Sequence, residues 1–325
     1  MKLEHINCLI CGKGDHPVVI KENGYDGKKC GECNLIYISP RPNSESIFDL
    51  YGHDNANLSA EGHINSSYQN RLYAKHNIKL IKPFIKNGIL LEIGPGSGEF
   101  LYEAQKNGYT SNGLELNSLQ ASHIRNHYKI HCEESSLVDS SFKDNTFDII
   151  YHCDVISHFF DPIEELLEIN KKLKKDGLLV FETGNLGETN PKYFKSFERF
   201  MYPDHLFFFG EKSIIKILEL TGFKVKKIHR YSILPQIKFL NLIRSFLITV
   251  SKFFKNKVGS VKDEAPNDSN ITAREKKSKS FVLDIKNILQ NIYFTIIYFL
   301  RYFVGAINIK MDSPKTIIII ASKIK

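Results

Sequence analysis

The sequence predicts an α/β fold in which a doubly wound, mainly parallel sheet is covered by helices on both faces. Three observations support this prediction. Short apolar segments alternate with helical patterns between residues 88 and 232, a glycine-rich turn follows the first of these segments, and the β-branched run Thr316–Ala321 provides a buried strand near the C-terminus. A cysteine-containing segment precedes this domain, and a helical insertion comes before its last strand.

The elements of the domain follow one another in regular alternation. Strands are predicted at Ile89–Ile93, Ser111–Leu116, Phe147–Cys153, Leu178–Thr183 and Lys224–Tyr231. Helices are predicted near 98–107, 118–127, 162–174 and 211–221. Because parallel strands need crossover connections, this alternation indicates a parallel sheet with its connecting helices packed on both sides.

Four regions are expected along the chain. Residues 1–42 form the cysteine-containing segment, and 43–87 form a helical connector. The α/β domain comprises 88–232 together with 311–325. Residues 233–310 form the insertion, with amphipathic helices at 236–255 and 281–307 joined by a polar linker, 256–280, that we expect to be mobile because it contains few apolar residues.

The positive charge is confined to the C-terminal third. The chain of 325 residues has a net charge of +8, but residues 1–225 contain 25 basic and 30 acidic residues, whereas 226–310 contain 16 and 5. A protein whose first 225 residues have a net negative charge is not expected to bind nucleic acid through this region.

The sequence also predicts a location. Residues 1–10 lack the apolar segment of a signal peptide, and no uninterrupted apolar run reaches the roughly 18 residues of a membrane span, so a cytoplasmic location is expected.

Two cysteine pairs predict a structural zinc site. Cys8 and Cys11, and Cys30 and Cys33, form C-x-x-C knuckles separated by 18 residues. Four thiolates at this spacing can surround Zn²⁺ tetrahedrally. Because a segment of this length has little core of its own, the metal would stabilise its fold. All four ligands would be used, which leaves no open position for catalysis.

The glycine-rich turn predicts a ligand site at the end of the first domain strand. Gly94, Gly96 and Gly98 follow that strand, and the helix after them begins near residue 98. Glycines allow the backbone to approach a ligand closely, and a helix N-terminus favours anionic groups. Glu92 lies two residues before the first glycine and can receive a cationic amine. Glu115 ends the second strand, where it can accept hydrogen bonds from ribose hydroxyls.

The segment from about 88 to 232 resembles the class I S-adenosylmethionine-dependent methyltransferases. Glu92 with Gly94, Gly96 and Gly98 matches the first motif of that family, and Glu115 matches its ribose-binding acid. The resemblance implies a Rossmann-like, seven-stranded methyltransferase sheet and S-adenosyl-L-methionine as the cofactor. It also places Cys153 and Asp154, at the end of the fourth strand, near the methionine part of that cofactor.

Later segments extend the resemblance. Asp144–Ile150 is similar to the family's approach to strand four, and residues 173–180 and 221–225 are similar to its entries to strands five and six. Asp154–Pro162 resembles the segment that commonly reads Val-Leu-Glu-His-x-x-Asp-Pro, with Ser157 in place of the usual glutamate. The knuckles followed by Cys33–Pro42 resemble a subgroup with a zinc-binding segment ahead of the methyltransferase domain, which includes sugar C-methyltransferases and enzymes of surface-glycan pathways.

Two histidines and one asparagine are candidates for contact with the methyl acceptor. His158 follows the fourth strand, where ligands bind in open α/β sheets, and an imidazole can take a proton near neutral pH. His205 lies in the loop before the helix at 211–221, and Asn185 follows the fifth strand. For His158 the alternative is a helix-capping or packing role. Glu133 and Glu134 lie where the family usually holds adenine.

The sequence therefore predicts a methyltransferase that acts on a small molecule, with a nucleotide sugar or glycan intermediate as the expected acceptor for C- or O-methylation. A quinone, a lipid or another small molecule is the first alternative, and a catalytically silent binding module is the second. The insertion, basic and aromatic, leaves the sheet on the ligand side. Its region 236–307 is expected to pack on itself or on another subunit, to cap the substrate, or to lie peripherally on the inner face of an anionic membrane.

Overall fold

A computed structural model describes residues 2–51, 67–244, 273–307, 310 and 312–324, with only the backbone described at 48–51 and 273–286. The N-terminal part contains short strands followed by two helices: β1 (Leu3–Glu4), β2 (Val18–Glu22), β3 (Tyr25–Lys29), β4 (Ile36–Ile38), β5 (Arg41–Pro42), α1 (Ser44–Tyr51) and α2 (Ser67–Ile81).

The α/β domain follows in the predicted alternation. Its elements are β6 (Gly88–Ile93), α3 (Glu99–Lys106), β7 (Tyr109–Leu114), α4 (Ser118–His123), β8 (His131–Glu133), β9 (Phe147–Cys153), α5 (Pro162–Lys172), β10 (Leu173–Gly184), β11 (Phe207–Phe208), α6 (Glu211–Leu220) and β12 (Phe223–Ser232). The remaining elements are α7 (234–244), α8 (Ala273–Tyr302) and β13 (Lys315–Lys323).

Seven strands form the central sheet, in the order β12-β13-β10-β9-β6-β7-β8. The strands from β10 to β8 pair in parallel, and β13 lies antiparallel between β10 and β12. Every residue of β13 from Lys315 to Ser322 is buried, as expected for a β-branched strand with neighbours on both sides. The predicted doubly wound sheet is therefore confirmed, and its one antiparallel strand is the one that follows the insertion.

Several predicted bounds differ by a few residues. The second domain strand, expected at Ser111–Leu116, spans Tyr109–Leu114, so Glu115 follows this strand instead of ending it. Two further elements differ because local geometry interrupts them. The helix expected over 118–127 ends at His123 and continues as a π-helical turn, Ile124–Tyr128, before Lys129 adopts a left-handed conformation. The strand expected at Leu178–Thr183 is longer, Leu173–Gly184, because Leu173 already pairs with Phe147 ahead of a bulge.

The second helix of the insertion begins earlier than predicted. We expected a polar linker up to residue 280, but α8 begins at Ala273. Its first turns contain alanine, arginine, glutamate and lysine, which are good helix formers, so a polar composition was wrongly taken there for an irregular linker. The first helix of the insertion is described only as α7, and the remainder of the predicted 236–255 helix and linker residues 256–272 lie outside the described residues.

One stretch of α8 and the turn after it passes the length and composition requirements of a membrane span. Asn287–Ala306 has a mean hydropathy of 1.2, with 17% of its residues buried. The prediction concerned uninterrupted apolar runs and is not contradicted, because polar residues and Arg301 interrupt this stretch, and length and composition by themselves do not identify a membrane span.

The N-terminal segment is packed into the α/β domain. Strands β2, β3 and β4 form a four-stranded sheet whose fourth member is β11 of the domain, in the order β11-β4-β3-β2. Phe207 of β11 pairs with Tyr37 of β4. Both side chains are almost completely buried, in the same apolar core as the β9 and β10 strands. The loop before β11 is consequently held by the N-terminal segment.

Candidate active site

The glycine loop between β6 and α3 has a backbone that favours glycine. Gly94, Gly96 and Gly98 have φ angles of 67°, 55° and 86°, in the left-handed region that is costly for residues with a side chain. A Cβ at Gly94 would lie 2.9 Å from Val155 Cγ2, and one at Gly98 would lie 2.7 Å from Ile124 Cγ1. The loop is therefore closely packed against the protein on one side, while Gly94 is exposed.

Glu115 connects this loop to the end of β7. Its Oε2 accepts a hydrogen bond from the backbone N–H of Gly96 at 3.0 Å, and its Oε1 accepts one from Asn117 at 2.9 Å. Burial raises the pKa of Glu115, while these backbone N–H groups act in the opposite direction. The carboxylate is thus fixed beside the glycine loop, where the sequence predicts the ribose contact.

Glu92 is a buried acid with an unused acceptor. It is 4% exposed, and its Oε2 has no hydrogen-bond partner among the described residues. Burial raises the pKa of Glu92 well above its usual value, and the nearby charges of Glu99 and Glu115 raise it further. Since unpaired buried polar atoms are rare, this oxygen is suited to a cationic group of a ligand that enters beside the loop.

Cys153 and Asp154 lie at the carboxyl end of β9, where the sequence predicts the cofactor cleft. Both are solvent-exposed, yet surrounding protein groups still desolvate them. Desolvation and the Glu182 charge raise the pKa of Asp154 to about 6. The same two effects raise the pKa of the Cys153 thiol well above its usual value, so that it is neutral near pH 7. Asp154 has a left-handed φ of 54°, which turns the chain away from the strand.

His158 and His205 are brought together by the structure, although 46 residues separate them in the chain. Their rings make an edge contact with centroids 4.5 Å apart. The Nδ1 of His158 lies 3.1 Å from the backbone oxygen of Asp204 and 3.3 Å from its Oδ1. Burial and the His158 charge lower the pKa of His205 to about 4, so its imidazole is neutral near pH 7.

Asn185 is buried beside the start of α6. It is 1% exposed, and its Oδ1 accepts a hydrogen bond from the backbone N–H of Glu211 at 2.9 Å. That N–H is at the first residue of α6, so Asn185 stabilises a helix start. Its Nδ2 has no partner among the described residues. Contact between Asn185 and an acceptor stays a prediction, and the structural role is the one that its hydrogen bond supports.

The end of α8 makes a buried ion pair at the same edge of the sheet. Glu182 of β10 is 1% exposed and accepts a close hydrogen bond from the Nη2 of Arg301. Asn77 of α2 donates to the other carboxylate oxygen at 3.0 Å. The Glu182 charge raises the pKa of Asp154, and the Arg301 charge lowers it. The insertion therefore contributes a charged residue beside the cleft.

The N-terminal cysteines cluster as predicted, with an additional histidine. The sulfur of Cys8 lies 3.5 Å from that of Cys33, and the sulfur of Cys11 lies 3.5 Å from that of Cys30. One donor atom each from Cys8, Cys11, Cys30 and His16 lies within 4.8 Å of the others. The Nε2 of His16 is buried without a partner among the described residues. Cys33 is not one of these four residues, but its sulfur is in contact with that of Cys8.

The N-terminal segment also holds the two histidine loops. The carboxylate of Glu22 accepts hydrogen bonds from the backbone N–H groups of Phe200 and Tyr202, each at 2.8 Å. Arg41 donates to the backbone oxygen of Phe160 at 2.7 Å, and its guanidinium lies 3.9 Å above the ring of that residue. The loops that contain His205 and His158 are thus anchored to the segment that contains the cysteines.

The glycine loop and the two acids lie at the carboxyl ends of β6 and β7 in a mainly parallel sheet, the edge at which open α/β sheets bind ligands. A family model described as a methyltransferase domain matches residues 66–228, half of the chain, and the chain belongs to this family. It is accordingly a transferase, and the family supports S-adenosylmethionine as its methyl donor.

Several solved structures are similar to this chain. A methyltransferase from Haloferax volcanii, solved with the Trm112 methyltransferase activator, has 14% identity and a TM-score of 0.49, with 85% of this chain and 97% of that chain covered. A protein from Galdieria sulphuraria, described as a sarcosine dimethylglycine methyltransferase, has 12% identity and a TM-score of 0.46, with 78% and 85% covered. An S-adenosylmethionine-dependent methyltransferase from Archaeoglobus fulgidus has 18% identity and a TM-score of 0.44, with 78% and 94% covered.

These similarities do not identify an acceptor. No curated protein with which the chain was compared matches it.

Sequence reasoning missed three residues that the structure brings to these sites. His16 lies between the two knuckles without a recognised spacing. Asp204 directly precedes His205, and this adjacency was a signal that could have been used. Glu182 stands within the apolar run of β10, where an acid needs a buried partner. That partner, Arg301, is 119 residues away in the chain and has no local signal.

Proposed function

We propose that this chain transfers a methyl group from S-adenosyl-L-methionine to a small-molecule acceptor, which is a nucleotide sugar or glycan intermediate. The choice of S-adenosyl-L-methionine as cofactor rests on the buried Oε2 of Glu92, which has no partner among the described residues and lies beside the glycine loop. An amino-acid moiety supplies the ammonium group that this oxygen needs, whereas a nicotinamide dinucleotide does not.

The residues at the ends of the strands have separate roles in this proposal. Glu92 accepts from the ammonium group, and the Gly94–Gly98 loop packs against the ligand. Glu115 binds the ribose hydroxyls, and Cys153 with Asp154 borders the methionine part. When bound, the cofactor supplies an electrophilic methyl group. The chain supplies a dry, fixed position for it and a group that orients the acceptor.

Calorimetric titration with S-adenosylmethionine tests the cofactor assignment. We expect one molecule to bind per chain, with Glu92→Gln and Glu115→Ala each weakening the affinity by about tenfold or more, since each removes a charged hydrogen-bond acceptor. Glu219→Ala, at an exposed position of α6, is the matched control and should bind as the unmodified chain does. Absence of binding, or unchanged affinity in both site variants, would contradict the assignment.

The acceptor class rests on the N-terminal resemblance and on the position of the histidines. In the proposal, His158 and His205 face the acceptor beyond the carboxyl end of β9, where an imidazole can orient it or receive its proton.

An activity assay separates the acceptor classes. The enzyme and labelled cofactor are incubated with nucleotide sugars, quinones and lipids. Transfer to a quinone or lipid in preference to every sugar would replace the sugar assignment.

A structural zinc ion at the N-terminal cluster is part of the proposal. The donor set there consists of thiols and one imidazole, which are the ligands that Zn²⁺ prefers. The unpartnered Nε2 of His16 fits a fourth or exchanging ligand position. Metal analysis of the purified protein should find about one zinc ion per chain. A much lower zinc content would contradict the proposed zinc site.

We further propose that the insertion contacts an anionic membrane through α8. One stripe of this helix exposes large apolar side chains, which are Ile288, Leu289, Ile292, Ile296, Phe299 and Phe303. The residues between 226 and 310 have the excess of positive charge noted above. An apolar helix face close to basic residues is the combination that binds anionic lipid surfaces.

Vesicle flotation tests the membrane contact. The chain should float with phosphatidylglycerol vesicles and less with phosphatidylcholine vesicles, because the basic region favours an anionic surface. Replacing Leu289, Ile292 and Phe299 by serine should reduce the floated fraction. Replacing the exposed Asn287 and Gln290 by serine is the control. If flotation is unchanged by the apolar substitutions while they convert a dimer to a monomer, the stripe is a subunit interface instead.

A further inference from the structure

The side chains of His158, Asp204 and His205 form a second candidate metal centre, distinct from the cysteine cluster. One donor atom from each lies within 4.8 Å of the other two. All three side chains are partly exposed, so a ligand can reach them. Two imidazoles and one carboxylate are the donor set that binds divalent transition metals while leaving coordination positions open.

The donors can reach the spacing that such an ion requires. A metal held about 2.1 Å from each of two donors requires those donors to be about 3.0–3.4 Å apart at right-angled or tetrahedral geometry. The Nδ1 of His158 donates to the backbone oxygen of Asp204 at 3.1 Å and lies 3.3 Å from its Oδ1, which leaves Nε2 of His158 to bind the ion. The two imidazole rings are in contact with each other, with centroids 4.5 Å apart. The three ligands can converge by rotation of their side chains.

A buried nitrogen at the centre points to the same conclusion. The Nδ1 of His205 is buried and has no hydrogen-bond partner among the described residues. The backbone N–H of His205 donates to the backbone oxygen of Met201 at 3.1 Å, which fixes the backbone of this residue. Since a buried polar atom is normally satisfied, a bound cation accounts for this nitrogen.

The backbone around the three residues is already fixed. The N–H of Leu206 donates to the backbone oxygen of Ser157 at 2.8 Å, which joins the two loops next to the histidines. Glu22 accepts hydrogen bonds from the backbone N–H groups of Phe200 and Tyr202, which fixes the chain just before Asp204 and His205. A preformed scaffold of this kind lowers the entropic cost of assembling three ligands from separate parts of the chain.

We propose that His158, Asp204 and His205 bind a divalent transition-metal ion that holds the acceptor oxygen beside the cofactor cleft. The position follows from the turn after β9, where the backbone N–H of His158 donates at 2.9 Å to the backbone oxygen of Val155, the residue next to Asp154. The proposal rests on the proposed methyl transfer and makes the two histidines metal ligands rather than proton acceptors.

The step that the ion assists is O-methylation. An acceptor hydroxyl bound to the ion loses its proton to solvent more readily, because the cation stabilises the alkoxide. A lone pair of that oxygen then forms the new bond to the methyl carbon. The bond between the methyl carbon and the sulfonium sulfur breaks, and its electrons remain on sulfur as a neutral thioether.

Titration with Mn²⁺, followed through the electron paramagnetic resonance of the free ion, tests the centre. Mn²⁺ is the probe because it favours oxygen and nitrogen donors and leaves a thiolate site to zinc. We expect about one Mn²⁺ per chain, with His158→Ala, Asp204→Asn and His205→Ala each weakening its affinity by about tenfold or more. The control is His131→Ala, at a surface histidine that pairs with Glu133 at 3.4 Å and has no second imidazole.

Folding and cofactor binding are measured on the same variants, so that the outcomes separate. A variant with an unchanged unfolding midpoint and zinc content but lost Mn²⁺ binding supports the centre. Absence of stoichiometric Mn²⁺ binding in a chain that binds S-adenosylmethionine overturns the centre and leaves the proposed function intact. Mn²⁺ binding without any cofactor binding overturns the proposed function instead. Equal Mn²⁺ affinity in all three variants also overturns the centre.

Discussion

Among single residues, His152 is unusual because it is a polar side chain buried in the interior of a strand without a hydrogen-bond partner among the described residues. It is fully buried in β9, its ring stacks on Phe181 with centroids 4.8 Å apart, and neither ring nitrogen has a partner among the described residues. Burial lowers the pKa of His152 to about 3. The imidazole is therefore neutral in the folded chain at pH values where it is protonated in the unfolded chain.

This residue predicts a pH-dependent loss of stability. Between about pH 6.5 and about pH 3 the unfolded state binds a proton at His152 that the folded state does not, so the free energy of unfolding falls as pH decreases through that range. His152→Phe should raise the free energy of unfolding by about 1–3 kcal/mol at neutral pH, because it removes unpaired buried nitrogens while keeping the ring. It should also flatten the acid dependence.

Urea unfolding at about pH 7.5 and about pH 5 measures both effects. His131→Phe, at an exposed histidine of β8, is the control and should leave the acid dependence as it is. The prediction is wrong if His152→Phe retains the full acid dependence of the unmodified chain.

The sequence shows how the predicted cofactor residues are related in space, but it does not show the contact between His158 and His205. Glu92, Gly94, Gly96, Gly98 and Glu115 lie on one loop and the strand ends beside it, so their relation follows from the order of elements. The contact between His158 and His205 depends on two loops meeting, and their order along the chain does not encode it. His16 was missed for a similar reason, because only the folded segment brings it to the cysteines.

At the scale of elements, the N-terminal segment orders the histidine loops. Its β4 strand pairs with β11, and Glu22 accepts two backbone hydrogen bonds from the loop that precedes β11. A segment that the sequence presents as an appendage thus forms part of the active-site support. The proposed zinc would then affect the site only indirectly, through the backbone contacts that support the loops, and would take no part in the reaction.

Weakening the segment should therefore loosen residues 200–208. Cys11→Ser removes one of the proposed zinc ligands, and Glu22→Ala removes the carboxylate that holds Phe200 and Tyr202. Both variants should raise the amide hydrogen exchange of this loop by about tenfold, which corresponds to about 1.4 kcal/mol of local stability.

Mass spectrometry of exchanged peptides provides the measurement, with β9 as an internal reference that should not change. Glu32→Ala, at an exposed acid next to the knuckle, is the control. Unchanged exchange at 200–208 in Cys11→Ser, with zinc lost, would show that the loop does not depend on the metal.

At the scale of the whole molecule, one buried network joins the connector helix, the sheet and the insertion. Glu182 of β10 is bound by Arg301 of α8 and by Asn77 of α2. Arg301 also donates to Thr316 of β13 at 3.1 Å. The ring of His76 stacks on that of Tyr302 with centroids 3.8 Å apart. These contacts attach the end of α8 to the catalytic edge of the sheet.

Removing one partner of the Glu182–Arg301 ion pair should lower the free energy of unfolding more than removing both partners. Arg301→Met leaves a buried carboxylate without its cation and should lower the free energy of unfolding by about 3–5 kcal/mol. The double variant Glu182→Met with Arg301→Met should recover much of that loss, since no buried charge remains. Arg244→Met, in an exposed pair with Glu198, should have little effect.

Denaturant unfolding of the single and double variants gives the coupling energy between the two residues. If Arg301→Met is no more destabilising than Arg244→Met, then α8 is not held by this ion pair. Additive losses in the double variant would mean that the two charges act independently.

The sequence by itself determined the order of elements, the parallel sheet, the glycine loop with its two acids and the paired cysteines. Each of these depends on residues that are close in the chain or on the period of apolar side chains, and such signals are local. The tertiary structure alone decided the position of the insertion, the partner of Glu182 and the meeting of His158 with Asp204 and His205. Those contacts join segments far apart in sequence, and burial in a common core, rather than local propensity, selects them.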